Sequence, residues 1–299
     1  MSKAKIEYNT TNKPPTRKRI INTIVLIIII ICFMFTVFPF AIVIINSAKS
    51  SLEIINEPIA MPDNWGQIFK NIGEVWSSNS VRYPSSLLST TIITVFSLFF
   101  IAIFSSMTAW VLVRTKTKMS AFLFLLFISG LIIPFQVVMF PLVQLFSASY
   151  KVLGIKMLRT YHGMIIAYIG FGAPLSVFMF HGFIKSIPLE LEEAATIEGY
   201  GKWKIYRRII LPILQPIVVT VLILNGIWIW NDFLLPSLIL GVGNKIQTIP
   251  LAVRFFAGSF VKKWDLIMTA VLMAALPIII GFLFGQKYII SGMVSGAIK

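Results

Sequence analysis

Charged residues divide this chain into long apolar blocks. Uncharged runs of 29 residues (Arg19 to Lys49), 31 (Arg82 to Arg114), 32 (Lys118 to Lys151), 25 (Arg159 to Lys185), 23 (Arg208 to Asp232) and 21 (Asp265 to Lys287) lie between successive charges. A helix needs roughly 20 mostly apolar residues to cross the hydrocarbon core. The pattern therefore predicts six membrane-spanning helices, at about 20–46, 84–112, 120–147, 161–184, 211–233 and 265–286. The next longest run, Asp232 to Lys245, has 12 residues and is too short to span. Barrel-type alternation is absent, and open strands would leave backbone groups unpaired in lipid. The expected class is all-α and polytopic.

The first run follows Arg17-Lys18-Arg19 and could pass for a signal peptide. Its apolar stretch is longer than a secretory core of ~7–15 residues, and no small-x-small cleavage site follows. It reads as a retained first helix. The organisation expected is an N-terminal segment 1–19, a six-helix domain 20–288 containing a loop 185–210, and a tail 289–299.

Composition agrees. Apolar residues make up 57% and charged residues 12%, and the mean hydropathy is +0.88. A soluble chain of 299 residues could not cover its surface with so few charges. The single cysteine, Cys32, excludes a disulfide scaffold. The net charge of +15 fits loops that meet anionic headgroups, and no basic patch on a soluble fold suggests nucleic acid. With a cytoplasmic N-terminus, the inner segments carry 16 Lys and Arg and the outer ones 10. The positive-inside rule then places both termini in the cytoplasm. Pro39, Pro134, Pro141, Pro174, Pro216 and Pro277 interrupt the spans, as in ordinary membrane helices or in a bundle that bends around a path. Gly281 and Gly285 form a weak close-packing pair.

Several chemistries are absent from the sequence. It has no phosphate-cradling GxxxxGK[ST] loop, and no HExxH, CxxC or GxSxG. His162 and His181 sit near opposite ends of the fourth span, too far apart to share a metal. No Lys or Arg lies within a span, and Asp232 at the end of the fifth is the only nearby acid. A proton-driven carrier usually needs an intramembrane ionisable relay. No bound metal or catalytic set is expected, and uphill transport would draw its energy from elsewhere.

The loop between spans four and five holds two short helices. Ser186 offers an N-cap and Pro188 suits a first turn. Glu190, Glu192 and Glu193 favour the positive end of a helix, and Gly199 permits the left-handed turn that ends it. A second helix over about 202–210 puts Trp203, Tyr206, Ile209 and Ile210 to one side, with Lys202, Lys204, Arg207 and Arg208 as its basic surface. Pro212 opens the fifth span. An amphipathic helix lying on the membrane is the blander reading, but anionic headgroups would repel its Glu-rich half.

Glu193-Ala194-Ala195, Gly199 and then Ile209-x-Leu211-Pro212 match, in every spacing, the EAA signature of membrane subunits of ATP-binding-cassette importers. The chain resembles that family. Pro134-x-Gln136, Pro141-Leu142, Trp230-Asn231-Asp232-Phe233, Thr248-Ile249-Pro250, Leu276-Pro277, Gln286-Lys287, Ser291-Gly292 and Gly296-Ala297-Ile298-Lys299 extend the resemblance, from about residue 85 onward, to its carbohydrate-uptake, maltose-type branch. The final Gly common in such tails is missing.

The resemblance implies a type I importer fold and a six-span permease subunit that forms half of a path for a sugar, of the oligosaccharide kind. Its partners would be a second permease, two ATPase subunits that bind ATP and Mg, and an external binding protein, in the plasma membrane of a prokaryote. The EAA helix would dock in a groove of the ATPase, with Glu193 meeting a basic group there; Glu190, Glu192 and Glu198 read as solvated. Residue character suggests Gln136, Gln144, Asn225, Trp228, Asn231 and Asp232 as path residues, because amides bond sugar hydroxyls and indole faces stack on sugar rings. A belt of interfacial aromatics would explain the Trp pair Trp228 and Trp230 equally well. Competing readings are a permease for glycerol phosphate, a polyamine or a peptide, a secondary carrier, and a membrane enzyme. The absence of a span-embedded cation weighs against phosphate, and the absence of repeats or a midplane charge weighs against a carrier.

Overall fold

A computed structural model describes residues 16–257 and 263–297. Most of the N-terminal segment 1–19 and the terminal pair Ile298-Lys299 thus lie outside the described residues. Every regular element within them is a helix: α1 Thr16–Ser47, α2 Ser51–Asn56, α3 Gln67–Ser77, α4 Tyr83–Arg114, α5 Lys118–Ile132, α6 Phe135–Leu153, α7 Tyr161–Ile184, α8 Glu190–Ile197, α9 Lys202–Ile205, a π-helical turn Tyr206–Ile210, α10 Leu211–Ile213, α11 Gln215–Asn231, α12 Leu234–Ile239, α13 Ile249–Ala257 and α14 Trp264–Ala297.

Among the described residues five helices are long and apolar enough to cross a membrane: Ile20–Ser47, Tyr83–Arg114, Phe135–Leu153, Tyr161–Ile184 and Trp264–Leu283. A sixth is reached when Lys202–Ile213 and Gln215–Asn231, bent by 74°, count as one broken span. The structure departs from the sequence expectation at three places. The run 120–147 is divided into α5 and α6. Pro134 has no N–H to continue the ladder and pushes the residue before it out of the helical region; Ile133 accordingly sits at φ −71, ψ 117. The fifth span is broken at Leu214 into Lys202–Ile213 and Gln215–Asn231, where one helix from about 211 was expected, and Pro216 lies in the first turn of its second part. The last helix does not stop near 286 but runs on to Ala297, through most of the expected tail.

The centre of the bundle is the contact between α4 and α7. The buried face of α4 carries mainly small or hydroxylated side chains, among them Ser86, Ser89, Thr90, Ser97, Ser105, Ser106 and Ala109. Small residues let two helix backbones approach closely, and packing of that kind holds helices together in lipid. Gly172 on α7 marks the tightest point. A Cβ there would fall 2.6 Å from Ile101 Cδ1 and 2.8 Å from Asn225 Oδ1. α5 and α11 flank this pair, and α14 packs on α1, α3, α11 and α13.

Successive long helices alternate in direction. At one end of the bundle, Ser47 at the end of α1 meets the start of α14, where Thr269 Oγ1 donates to its carbonyl at 3.2 Å. Ser51 Oγ bonds Asp265 Oδ1 at 2.7 Å nearby. Tyr83 at the start of α4 joins an apolar cluster with Ile249, Ala252, Leu266 and Ala270. Thr90 Oγ1 accepts from the Ile249 N–H at 2.9 Å. The opposite end of α4 and α7 carries the segment 185–214.

The connection from α1 to α4 is pinned by buried polar groups. The Asn71 amide on α3 donates to the Ser47 carbonyl at 2.9 Å and to the Lys49 carbonyl at 3.0 Å. Lys49, fully buried, donates from Nζ to the Glu57 carbonyl at 2.7 Å. Asn71→Ala should leave the Lys49 carbonyl without its donor and the Ser47 carbonyl with Thr269 alone, and lower the stability of the purified protein by ~1–3 kcal/mol. Thermal unfolding in detergent would register this as a lower midpoint, with exposed Lys70→Ala as the silent control.

Candidate functional site

The segment between α7 and α11 is the most chemically specific part of the fold. Ser186 does not cap a helix there; its hydroxyl donates back to the Phe183 carbonyl at 2.8 Å. α8 starts later, at Glu190, with no side-chain cap at Leu189. Its first turn holds Glu190, Glu192 and Glu193, whose negative charge compensates the exposed N–H groups in place of a cap.

The end of α8 is a Schellman turn. Gly199 has φ +83. The Tyr200 N–H donates to the Ala195 carbonyl at 2.9 Å and the Gly199 N–H to the Thr196 carbonyl at 3.0 Å. These are the 6→1 and 5→2 bonds that satisfy carbonyls at a helix C-terminus. No side chain crowds Gly199, so the requirement for glycine is one of backbone conformation. The chain then re-enters helix at Lys202 and widens into a π turn, in which the Leu211 N–H reaches the Tyr206 carbonyl. Pro212 has no N–H to offer Arg208, so the ladder is already one bond short at this point.

The three acids of the first turn have different fates. Glu192 is buried and Glu193 is exposed, which reverses the expectation for Glu192. Arg114 Nε, on the last residue of α4, lies 2.7 Å from Glu192 Oε1. Trp110 Nε1 donates to Glu192 Oε2 at 3.0 Å, so both carboxylate oxygens are engaged. Arg114 Nη2 also donates to the Ile187 carbonyl at 3.1 Å. One turn earlier on the same face of α4, Ser106 Oγ and Tyr206 Oη share a hydrogen bond at 2.7 Å. The Trp110 and Tyr206 rings lie 5.6 Å apart. Burial pushes the Tyr206 phenol above its ordinary pKa, and the Ser106 bond offsets part of that rise.

Ser106, Trp110 and Arg114 thus hold both halves of the loop. Their spacing of four puts them on one helix face, and that spacing was the available signal. It was hidden because an Arg at the end of an apolar run also serves as an ordinary topogenic charge.

The signature residues divide between the two sides of the loop. Ala195 is buried against the bundle, and Ile209 and Leu211 are half-buried. Glu193, Ala194 and Pro212 are exposed. Ile197 is 88% exposed, an unusual state for isoleucine, and shares the outer flank of α8 with Glu193 and Ala194. On the second helix Tyr206 and Ile210 are buried, whereas Trp203 is 61% exposed.

The residues suggested for the path are scattered. Gln136 and Gln144 are exposed on one side of α6. Leu224, Ile227, Trp228 and Asn231 form an exposed stripe on α11, and Trp228 stands edge-on to Tyr168 at 5.4 Å. Asn225 is buried on the opposite face, where its amide donates to Ser176 Oγ at 3.0 Å and to the Val221 carbonyl at 2.9 Å. Asp232 accepts from Tyr168 Oη at 3.1 Å and caps α12 through the Leu234 N–H at 2.9 Å. The structure thus brings Trp228 and Asn231 to one open face and gives Asn225 and Asp232 partners within the fold. Among the described residues no group of three or more His, Cys, Asp or Glu could hold a metal ion.

Residues 101–294 match the model of the family described as binding-protein-dependent transport system inner membrane component. The chain is 38% identical, over 87% of its length and 91% of the relative's, to the probable starch degradation products transport system permease protein AmyC of Thermoanaerobacterium thermosulfurigenes. It is 37% identical, over 87% and 91%, to the melibiose/raffinose/stachyose import permease protein MelC of Bacillus subtilis. It is 34% identical, over 94% and 96%, to the multiple sugar-binding transport system permease protein MsmG of Streptococcus mutans. A chain in the crystal structure of a bacterial transporter that imports the acidic polysaccharide alginate shares the fold, with a TM-score of 0.76 at 19% identity, over 93% of this chain and 99% of that one. A multi-pass helical chain with this loop, matched over residues 101–294, belongs to the family of binding-protein-dependent transport system inner membrane components.

Proposed function

We propose that this chain is the sugar-conducting permease subunit of an ATP-driven importer and that the outer flank of α8 docks a separate ATPase. The observation that carries the reading is the two-sided construction of α8. One side is tied to α4 through Glu192, while the other leaves Glu193, Ala194 and Ile197 without cover. Covering an apolar side chain as exposed as Ile197 in a partner's pocket would gain the free energy of removing that surface from water. Ala194 leaves room for close approach, and Glu193 offers a charge-assisted bond to a basic group.

The sidedness follows from the charge bias of the loops, which puts 185–214 and both termini in the cytoplasm with the ATP. The subunit works in the plasma membrane of a prokaryote with a second permease, two ATPase subunits that bind ATP and Mg, and an external binding protein. Closure of the ATPases on ATP moves the docked loops and opens the path outward; hydrolysis resets it. Sugar as the cargo rests on the names of the relatives and on residue character. Trp228 and Asn231 on the open stripe of α11, with Gln136 and Gln144 on α6, are the groups able to stack on and hydrogen-bond a neutral sugar. Asn225 and Asp232 hold the walls in place.

Two experiments test the docking. The first uses the reconstituted complex: Glu193→Ala should reduce binding-protein-stimulated ATP hydrolysis and sugar uptake about tenfold, ~1.4 kcal/mol, for a partly desolvated pair. Glu198→Ala, at the exposed end of α8, should change neither. Equal losses at both positions would mean that the loop acts through bulk charge. The second concerns the turn. Gly199→Val puts a branched residue at φ +83 and should cost ~1–2 kcal/mol, seen as weaker co-purification of the ATPase with membrane abundance retained. Gly201→Ala, at φ −71, should bind the ATPase normally.

A further inference from the structure

The loop is joined to the rest of the fold in two ways. One is the chain itself, which enters from α7 at Lys185 and leaves through α10 with a turn of 74° at Leu214 before α11. The other is the set of side-chain contacts to the end of α4. The first is bent at a single residue. The second joins three points of the loop to one face of an unbroken helix: Ile187 through Arg114 Nη2, Glu192 through Arg114 Nε and Trp110 Nε1, and Tyr206 through Ser106 Oγ. Glu192 is 90% and Arg114 81% removed from solvent at the side chain. A planar guanidinium and an indole N–H each take one carboxylate oxygen, which fixes the carboxylate in direction as well as position.

α4 carries such a constraint far. It has 32 residues and is therefore about 48 Å long. Its far end is held just as firmly, with Tyr83 in the apolar cluster of α13 and α14 and Thr90 bonded to the Ile249 N–H.

We propose that Glu192, Trp110 and Arg114 are positioning residues that make α8 and α4 move as one body. Displacement of the docked loop is thereby delivered along α4 to the opposite face of the membrane instead of being absorbed at Leu214. This rests on the reading that α8 docks the ATPase. It assigns to Glu192, the neighbour of the signature acid, a task that Glu193 cannot perform from the opposite flank.

The test uses the complete transporter in proteoliposomes, with binding protein and sugar, and reads the ratio of sugar moved to ATP hydrolysed. Glu192→Gln, Arg114→Gln and the double variant should keep the ATPase bound and hydrolysing. Uptake per ATP should fall at least fivefold, and hydrolysis should lose its dependence on the binding protein. The double variant should be no worse than the worse single one, because both remove the same link. Arg114→Lys, which keeps charge but not the fork, should recover part of the ratio. Lys116→Gln, an exposed charge two residues away, should leave the ratio unchanged. Should Glu192→Gln fail to accumulate in the membrane, Trp110→Phe keeps the ring beside Tyr206, deletes one hydrogen bond and carries the same readouts. Uptake and hydrolysis falling in strict proportion would overturn the proposal, as would an unchanged ratio with the ATPase bound. If instead the unaltered chain fails to co-purify with an ATPase, it is the docking reading that falls.

Discussion

The close approach of α4 to α7 is the constraint from which the rest of the arrangement follows. In hydrocarbon no hydrophobic force distinguishes one apolar helix face from another. Contact must come from fit, and fit requires small side chains where the backbones meet. Gly172, with Ile101 and the Asn225 amide pressed against it, supplies that fit at the middle of α7. Once the two helices are set, the registry of everything at their ends is set too. The start of α4 places Tyr83 and Thr90 for α13 and α14, and its end places Ser106, Trp110 and Arg114 for the loop.

This also explains why the buried face of α4 is polar in composition without being a polar channel. Its serines and threonines are there for their size. Some return a hydrogen bond to their own helix, as Thr90 does to Ser86 and Ser106 to Ala102. A charged or amide-rich face would have demanded partners from α7, which offers mostly glycine, alanine and apolar groups along the seam. Asn225 meets the same demand locally, using Ser176 and its own helix.

Much of this was legible in the sequence. The runs between charges located the long helices, since length and apolarity are local properties. The glycine that ends α8 was equally plain, because a left-handed turn needs a residue without Cβ. The division of the third run at Pro134 was less plain, since prolines inside other helices, such as Pro39 and Pro174, are tolerated. The contrast between Glu192 and Glu193 was not legible at all. Neighbouring residues on a helix point about 100° apart, and which of them faces inward depends on a tryptophan and an arginine some eighty positions earlier. A motif match names the acid that a family shares but cannot say which acid the fold itself consumes.

The 74° turn at Leu214 has a mechanical meaning of its own. Leu214 is fully buried, and hydrogen bonds run across it in both directions, from its N–H to Ile210 and from the Val218 N–H to its carbonyl. The bend is therefore a braced elbow and not a gap. The segment 202–213 forms an arm of roughly 18 Å on one side of it. A rotation of about 10° at the elbow sweeps the tip of that arm by roughly 3 Å, about the width of a water molecule, while the buried pivot stays in place. Flexing there would let the arm swing while α11 stays still, so the hydrogen bond between Tyr206 and Ser106, which ties the arm to α4, decides which membrane helix travels with it.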